Sequence, residues 1–136
     1  DAAGLIEGLN KLGFKDLMAS GDIAGKSRAE VIELVDAKAW AYYQAKIEPV
    51  KEKIRPIEKD MSLRTIDRAW SNHIDTMSKL RDGIGLRSYA QANPLQAYVQ
   101  EGYTLFEDMM HVIAQEIVTF CMNVRIVPAN EAPKEA

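Results

Sequence analysis

Apolar residues recur at three- and four-residue steps along two long stretches of the chain, and this period predicts two amphipathic helices. The second stretch opens with Asn93-Pro94, where a capping residue followed by proline favours a helix start, and it covers about 30 residues, or roughly 45 Å. Two long helices joined by a short loop predict an antiparallel hairpin. The two runs consist of Ile57, Met61, Ile66, Trp70, Ile74, Met77 and Leu80, and of Leu95, Tyr98 or Val99, Gly102, Phe106, Met109, Ile113, Ile117, Phe120 and Val124.

The part of the chain before the hairpin carries two shorter helical patterns. Apolar residues at helical spacing between Leu5 and Leu12 predict a helix that stops at Gly13. The period breaks over residues 14–25, which we interpret as a loop. Ser27 with Glu30 three residues later forms a capping-box pattern, so the next helix is expected to begin there.

Pro49 and Pro56 interrupt that third pattern. A proline inside a helix loses one hydrogen bond and clashes with the preceding turn, so we expect the helix to end or kink near both. The sequence shows no convincing strand pattern and no internal repeat. It therefore predicts an all-α fold, a long antiparallel two-helix hairpin with a smaller helical segment before it.

The segment between the long helices departs from the usual composition of loops. The run from Arg81 to Tyr89 contains two glycines, and we interpret it as a helix end followed by a loop. Loops normally carry small polar residues, yet Ile84 and Leu86 stand here with Tyr89, beside Arg81 and Arg87. Such groups either dock onto a partner or fold back onto the hairpin, and the pattern leaves both alternatives open.

Composition narrows the class of protein. The chain has 136 residues and a formal net charge of −3, which argues against a dedicated nucleic-acid-binding domain because those are strongly basic. Its single cysteine, Cys121, cannot form an internal disulfide, so we expect reducing surroundings. No stretch is long and apolar enough for a transmembrane helix. The start at Asp1 suggests an excised fragment, and residues 128–136 have no apolar period and are expected to be a disordered tail.

A nucleotide-binding enzyme is one alternative, because Gly25-Lys26-Ser27 matches the end of a P-loop. A P-loop needs four residues between its glycines to wrap a phosphate, whereas Gly21 and Gly25 enclose three. No buried strand precedes the motif either. We therefore interpret it as a surface turn and helix cap, and we assign no ATP site to it.

The sequence offers no other convincing catalytic or metal-binding cluster. His73 and His111 lie on different predicted helices without the three or four convergent ligands that zinc requires. We interpret them as helix-face or interhelical residues, and Cys121 as a small buried apolar residue. The acidic residues of the last helix fit a solvated face. We predict no metal and no cofactor for this chain.

The run from Trp70 to Pro94, WSNHIDTMSKLRDGIGLRSYAQANP, resembles the SecA family of bacterial preprotein-export ATPases. The similarity continues through Tyr98, Glu101 and Phe106, and a looser similarity extends from Gly4 to Ile126. The resemblance implies that residues 1–50 are part of the helical wing domain. It also implies that residues 51–127 form the two-helix finger and helical scaffold, followed by the tail.

In that family, the two-helix finger inserts its loop into the mouth of a SecY-type channel and contacts the unfolded preprotein. The resemblance implies that Tyr89 is the aromatic residue of the finger tip. Leu86, Arg87, Ser88, Ala90 and Gln91 complete the tip, and Arg81 and Ile84 support it. The family's ATP and Mg²⁺ sites lie in motor domains outside this sequence. In the family, the finger restrains ATP hydrolysis by that motor. The resemblance also implies a cytoplasmic protein, peripheral on the bacterial plasma membrane and in contact with its anionic surface.

Two expectations complete this interpretation. The family has a long scaffold helix along the finger, and this chain lacks it, so we expect an exposed apolar stripe that favours self-association. Many relatives carry charged residues where this chain has Ala92-Asn93 and Val99-Gln100, so ionic contacts on that side of the tip are not carried over. The alternative function is a helical coiled-coil adaptor whose loop is passive and uncoupled from a motor.

Overall fold

The computed structural model describes residues 1–87 and 93–127, and for Arg87 it describes the backbone alone. These residues contain helices and no strand, which confirms the predicted all-α class. The elements in chain order are α1 (Ala2–Leu12), α2 (Ser20–Ile23), α3 (Arg28–Ile47), a 3-10 turn (Glu48–Val50), α4 (Lys51–Arg87) and α5 (Pro94–Asn123).

The helix boundaries predicted from capping residues are confirmed. Gly13 ends α1 with a φ of 106°, a left-handed conformation that glycine adopts without a steric cost. Before α3, the Ser27 hydroxyl accepts from the Glu30 N–H (3.3 Å), and the Glu30 carboxylate accepts from the Ser27 N–H (2.6 Å). The Asn93 side-chain oxygen accepts from the Gln96 N–H (3.1 Å) at the start of α5.

The two prolines differ in effect. Helix α3 ends at Ile47, and Pro49 lies in the 3-10 turn that follows, as expected. Pro56 lies inside α4, which continues past it. The missing proline N–H leaves the carbonyl of Glu52 without its helical donor, and Glu52 is exposed to water.

The prediction that a loop begins near Arg81 is wrong for residues 81–87, because α4 continues to Arg87. Gly83 and Gly85 suggested the loop, but a glycine costs a helix only about 0.5–1 kcal/mol relative to alanine. Leu80 and Ile84 lie four residues apart and are both half-buried, so one face of α4 still packs along this turn.

Residues 14–25 are also more ordered than the predicted loop. They contain α2, whose start is stabilised by a hydrogen bond from the Ala19 N–H to the Asp22 carboxylate (2.9 Å). Phe14 and Met18 belong to no periodic apolar pattern in the sequence. Both are nevertheless buried, and they pack in one cluster with Leu9 and Met122.

The chain divides into two compact units. The first unit comprises Asp1–Glu58 and the chain from Val118 onward, and the second comprises Lys59–Ile117. Polar contacts join the helices of the first unit around its apolar cluster. The Tyr43 hydroxyl of α3 donates to the buried Glu58 carboxylate of α4, and Lys46 donates to the Cys121 carbonyl near the end of α5 (2.6 Å).

Candidate functional site at the end of the helical hairpin

The second unit contains most of α4 and most of α5, packed as an antiparallel hairpin. Met77 lies against Gly102, where a Cβ atom would come within 2.9 Å of the methionine methyl. The next contact pairs His73, one turn earlier on α4, with Phe106, one turn later on α5 (ring centroids 5.9 Å apart). Contacts nearer the N-terminus of α4 are made by residues nearer the C-terminus of α5. The two helices are therefore antiparallel, and the predicted hairpin is confirmed.

Aromatic rings line one face of this hairpin. His73 lies between two of them, since its ring also contacts Trp70 on the same helix, with centroids 5.6 Å apart. The interpretation of His73 as an interhelical residue is therefore confirmed. Its ring thus packs against both helices near the middle of the hairpin.

Ion pairs stabilise the hairpin shaft. Arg68 of α4 pairs with Glu116 of α5, and this bond crosses between the helices. Lys79 pairs with Asp75 along α4 (2.8 Å), and its hydrogen bond and charge attraction raise the pKa of Lys79. Water screens exposed pairs of this kind, so each contributes little to the stability of the hairpin.

The last turns of α4 carry the predicted site residues that the structure describes. Ile84 is half-buried against the hairpin, whereas Arg81 is exposed with its guanidinium 3.6 Å from the Asp82 carboxylate. Leu86 is 78% exposed, although leucine is among the residue types most often buried. This end of the helix therefore offers one apolar and one cationic side chain to a partner.

Helix α5 adds a residue to this end that the sequence interpretation assigned to the apolar run. Leu95, in the first turn after the Asn93 cap, is 72% exposed. Its spacing fits the apolar period, and a period alone does not show where the neighbouring helix ends. The exposure of Leu95 could have been predicted from its position, because a residue in the first turn after a loop has few neighbours to cover it.

The remaining predicted tip residues cannot be assigned a geometry. Arg87 is the last residue of α4, and its side chain is not described. Ser88, Tyr89, Ala90 and Gln91 lie outside the described residues, in the segment that links the two helices. Their roles at the tip stay predictions.

A shallow groove lies between α4 and α5, and His73 also lines it. It encloses about 220 Å³ between the helices, with His73 and Asp108 on its polar side. The apolar lining residues of α5 are Leu105, Met109 and Val112. The lining residues are Ala69, Asn72, His73 and Thr76 from α4 and Leu105, Asp108, Met109 and Val112 from α5.

The other candidates considered from the sequence lie in the first unit. Gly25 adopts a φ of 75° and Ser27 caps α3, so the interpretation of Gly25-Lys26-Ser27 as a turn and helix cap is confirmed. Cys121 is half-buried, and this burial raises the pKa of its thiol. Across residues 1–87 and 93–127, no cluster of His, Cys, Asp and Glu side chains has the geometry to hold a metal ion. Over the same ranges, no helix combines the length and apolarity needed to span a membrane.

The fold and the exposed hairpin end define a class of all-α domains built on a long helical hairpin. Within that class, the family model of the SecA Wing and Scaffold domain matches residues 1–125. The chain therefore belongs to the SecA family, as its wing and scaffold portion. This membership assigns it to SecA-type protein export and to interaction with the translocation machinery in general.

Proposed function

We propose that the hairpin is a finger whose tip, from Leu86 to Gln91, contacts the translocating preprotein and the mouth of a SecY-type channel. The observation that carries this proposal is the pair of exposed leucines, Leu86 and Leu95, on the two sides of the connecting segment. Large apolar side chains are exposed to water at the end of the two helices, and covering them with a partner is favourable because it removes apolar surface from water. A passive loop has no need of them.

The hairpin has the mechanical properties that a finger needs. The α4 segment of the second unit rises by about 1.5 Å per residue and spans about 40 Å. Its partner helix is locked to it by the Met77–Gly102 contact, the His73–Phe106 ring pair and the Arg68–Glu116 ion pair. A paired helix resists bending better than a single one, so a displacement at its base would reach the tip.

The chemistry of the tip suits a partner of variable sequence. Tyrosine offers apolar area with one hydrogen-bonding group, and Tyr89 would use both on an unfolded chain without reading its sequence. Leu86 and Leu95 add apolar surface of the same indiscriminate kind. Arg81 and Arg87 would attract acidic channel loops or the anionic headgroups of the membrane.

The motor that would drive this finger lies in other domains of SecA. We infer that ATP and Mg²⁺ bind there, and that the finger couples to hydrolysis and restrains it when no preprotein is engaged. The protein would act in the cytoplasm, peripherally on the plasma membrane. The proposal assigns no chemistry to this chain, only contact and transmission of force.

The test is a translocation assay on full-length SecA carrying this chain. We expect Leu86→Ser to lower the amount of preprotein translocated per ATP hydrolysed, because it removes the apolar contact at the tip. Ile32→Ser is the matched control, since Ile32 is also an exposed aliphatic residue but lies on α3 in the first unit. Equal translocation yields for both variants and the parent protein would overturn the proposal.

A further inference from the structure

Helices α3 and α4 meet in a corner within the first unit, and the 3-10 turn Glu48–Val50 lies at its bend. One contact shows how sharp the bend is. Tyr43 and Glu58 are 15 residues apart and hydrogen-bonded, whereas a straight helix of that length would separate their backbones by about 22 Å. Ile47 and Ile54, each one turn closer to the bend, are 3% and 2% exposed. The corner is therefore a packed part of the first unit.

A cavity of about 300 Å³ opens in this corner, and we call it the corner cavity. Its volume lies at the lower end of the range of ligand pockets, about 300–1,000 Å³. All its lining residues belong to the first unit, and all but the buried Ile47 are exposed. They are Gln44, Ala45, Ile47 and Glu48 from α3 and the turn, and Lys51 and Arg55 from α4.

The polar side chains of the corner cavity have hydrogen-bonding capacity that the chain does not use. Within residues 1–87 and 93–127, no ion pair or hydrogen bond engages the side chains of Gln44, Glu48 or Lys51. A guanidinium carries five N–H donors. That of Arg55 donates from one Nη to the Glu58 carboxylate at 3.4 Å, and its Nε and its other Nη meet no acceptor in the same ranges.

The two cations of the cavity favour a carboxylate. The Nε and outer Nη of a guanidinium form the edge that binds a carboxylate through two parallel hydrogen bonds, and Glu58 leaves this edge of Arg55 open. Lys51 lies four residues earlier on the same helix, so its ammonium is a neighbour of that edge. A carboxylate bound there would be held by two positive charges.

Glu48 indicates that the carboxylate belongs to a peptide. Its negative charge repels a free anion such as phosphate, but it accepts hydrogen bonds from a backbone N–H. The Gln44 amide both donates and accepts, which matches a peptide group. Trp40 is one turn before Gln44 on the same face of α3 and is 58% exposed, so it offers aromatic surface to an apolar side chain nearby.

We propose that the corner cavity is a docking site for an acidic peptide segment of a partner protein. Arg55 and Lys51 bind the carboxylate of an Asp or Glu side chain in that segment. Gln44 and Glu48 pair with its backbone, and Trp40 covers an adjacent apolar side chain. The site lies outside the hairpin and does not depend on the finger proposal, so the two can fail separately.

Peptide binding to the full chain, measured by fluorescence anisotropy, tests the site. The probes are a labelled, end-blocked peptide of alternating leucine and glutamate and its leucine–glutamine counterpart. We expect saturable binding of the glutamate peptide and about tenfold weaker binding of the glutamine peptide, because the latter forms no charge-assisted hydrogen bonds. Absence of saturable binding, or equal binding of the two peptides, overturns the proposal.

Two charge reversals on the same helix locate the binding. Lys51→Glu is expected to weaken the binding of the glutamate peptide about fivefold. Lys53→Glu is the matched control, because Lys53 is exposed on α4 but does not line the cavity, and the two variants change the net charge equally. Its Kd is expected to stay within about twofold of the parent value. Equal effects of the two variants overturn the location.

The guanidinium has its own test. Arg55→Lys keeps a positive charge beside Glu58 but lacks the edge that binds a carboxylate twice. We expect several-fold weaker binding of the glutamate peptide, with helix content by circular dichroism unchanged. Unchanged binding overturns the role of Arg55. Competition with inorganic phosphate separates a peptide site from an anion site, because displacement of the peptide by millimolar phosphate overturns the peptide assignment.

Discussion

The Tyr43 hydroxyl donates a hydrogen bond to the Glu58 carboxylate, and this bond joins α3 to α4 within the first unit. Glu58 is buried and also lies 3.4 Å from the Arg55 guanidinium. Desolvation by burial and the neighbouring carboxylate raise the pKa of Tyr43 far above its ordinary value. The phenol therefore keeps its proton and remains a donor to a charge that has little access to water.

Removing this donor should destabilise the first unit. Tyr43→Phe is expected to lower the free energy of unfolding by about 1–3 kcal/mol, because the buried carboxylate loses a partner without gaining water. Chemical denaturation monitored by circular dichroism measures the change. The control is Tyr103→Phe, which removes a hydrogen bond to Glu107 at the surface and should leave the free energy of unfolding nearly unchanged. Equal costs would show that Glu58 does not depend on Tyr43.

Two glycines with close neighbours should lose different amounts of stability when replaced by alanine. At Gly13 the φ of 106° strains any side chain, and an added Cβ would lie 2.8 Å from the Cβ of Met122. We expect Gly13→Ala to cost about 2–4 kcal/mol, since neither obstacle can move easily.

At Gly102 the close atom is instead the terminal methyl of Met77, which can rotate away. Alanine also favours the helix there by about 0.5–1 kcal/mol, so Gly102→Ala should change stability by less than about 1 kcal/mol. Thermal denaturation of both variants measures the contrast. A loss at Gly102 as large as at Gly13 would mean that Met77 cannot move away from the added methyl group.

Acid should weaken the start of α3 through Glu30. The hydrogen bond from the Ser27 N–H lowers the pKa of the Glu30 carboxyl below its ordinary value. A depressed pKa in the folded state contributes stability above the unfolded pKa, about 4.3, and loses it as pH falls through the folded pKa. The capping box should therefore stabilise α3 at neutral pH and fail in acid.

The measurement is the unfolding free energy of Glu30→Gln and of the parent chain at neutral and acid pH. We expect the variant to lose less stability on acidification than the parent. Glu33→Gln changes an exposed glutamate of the same helix outside the capping box and should keep the acid response of the parent. Parallel pH profiles for the parent and Glu30→Gln would contradict this account.

Cys121 should react slowly. Burial, followed by the charge of Glu58, raises the pKa of its thiol, while Lys46 acts in the opposite direction. Because the thiolate is the nucleophile, we expect alkylation by iodoacetamide at mildly alkaline pH to be several-fold slower in the folded chain than in urea. The rates are followed by mass spectrometry. Equal rates in both states would show that the thiol is accessible and unperturbed.

The sequence predicts those parts of the fold that depend on local chemistry. Gly13, Ser27 and Asn93 act on backbone groups within a few residues, so the helix boundaries beside them follow from the sequence. The apolar period likewise predicts α5 and its antiparallel packing on α4. Local propensity fails at Gly83 and Gly85, where the small cost of glycine does not stop a helix whose face is still packed.

Contacts between distant residues leave weaker traces. Phe14 and Met18 complete the first apolar cluster without any period, and the bond between Tyr43 and Glu58 joins two helices that no spacing rule relates. The exposure of Leu95 has a similar cause, because periodicity identifies an apolar face and not what covers it. Ser88, Ala90 and Gln91 enter the site through family resemblance alone, whereas the unusual composition of the predicted loop also indicates Tyr89.

Photo-cross-linking in full-length SecA carrying this chain tests the central claim most directly. A photoreactive amino acid is placed at Tyr89, and for comparison at Lys59, at the far end of the hairpin. During active translocation we predict adducts with the channel and the preprotein from position 89 and none from position 59. If position 89 captures neither partner while translocation proceeds, the tip takes no part and the finger account is contradicted.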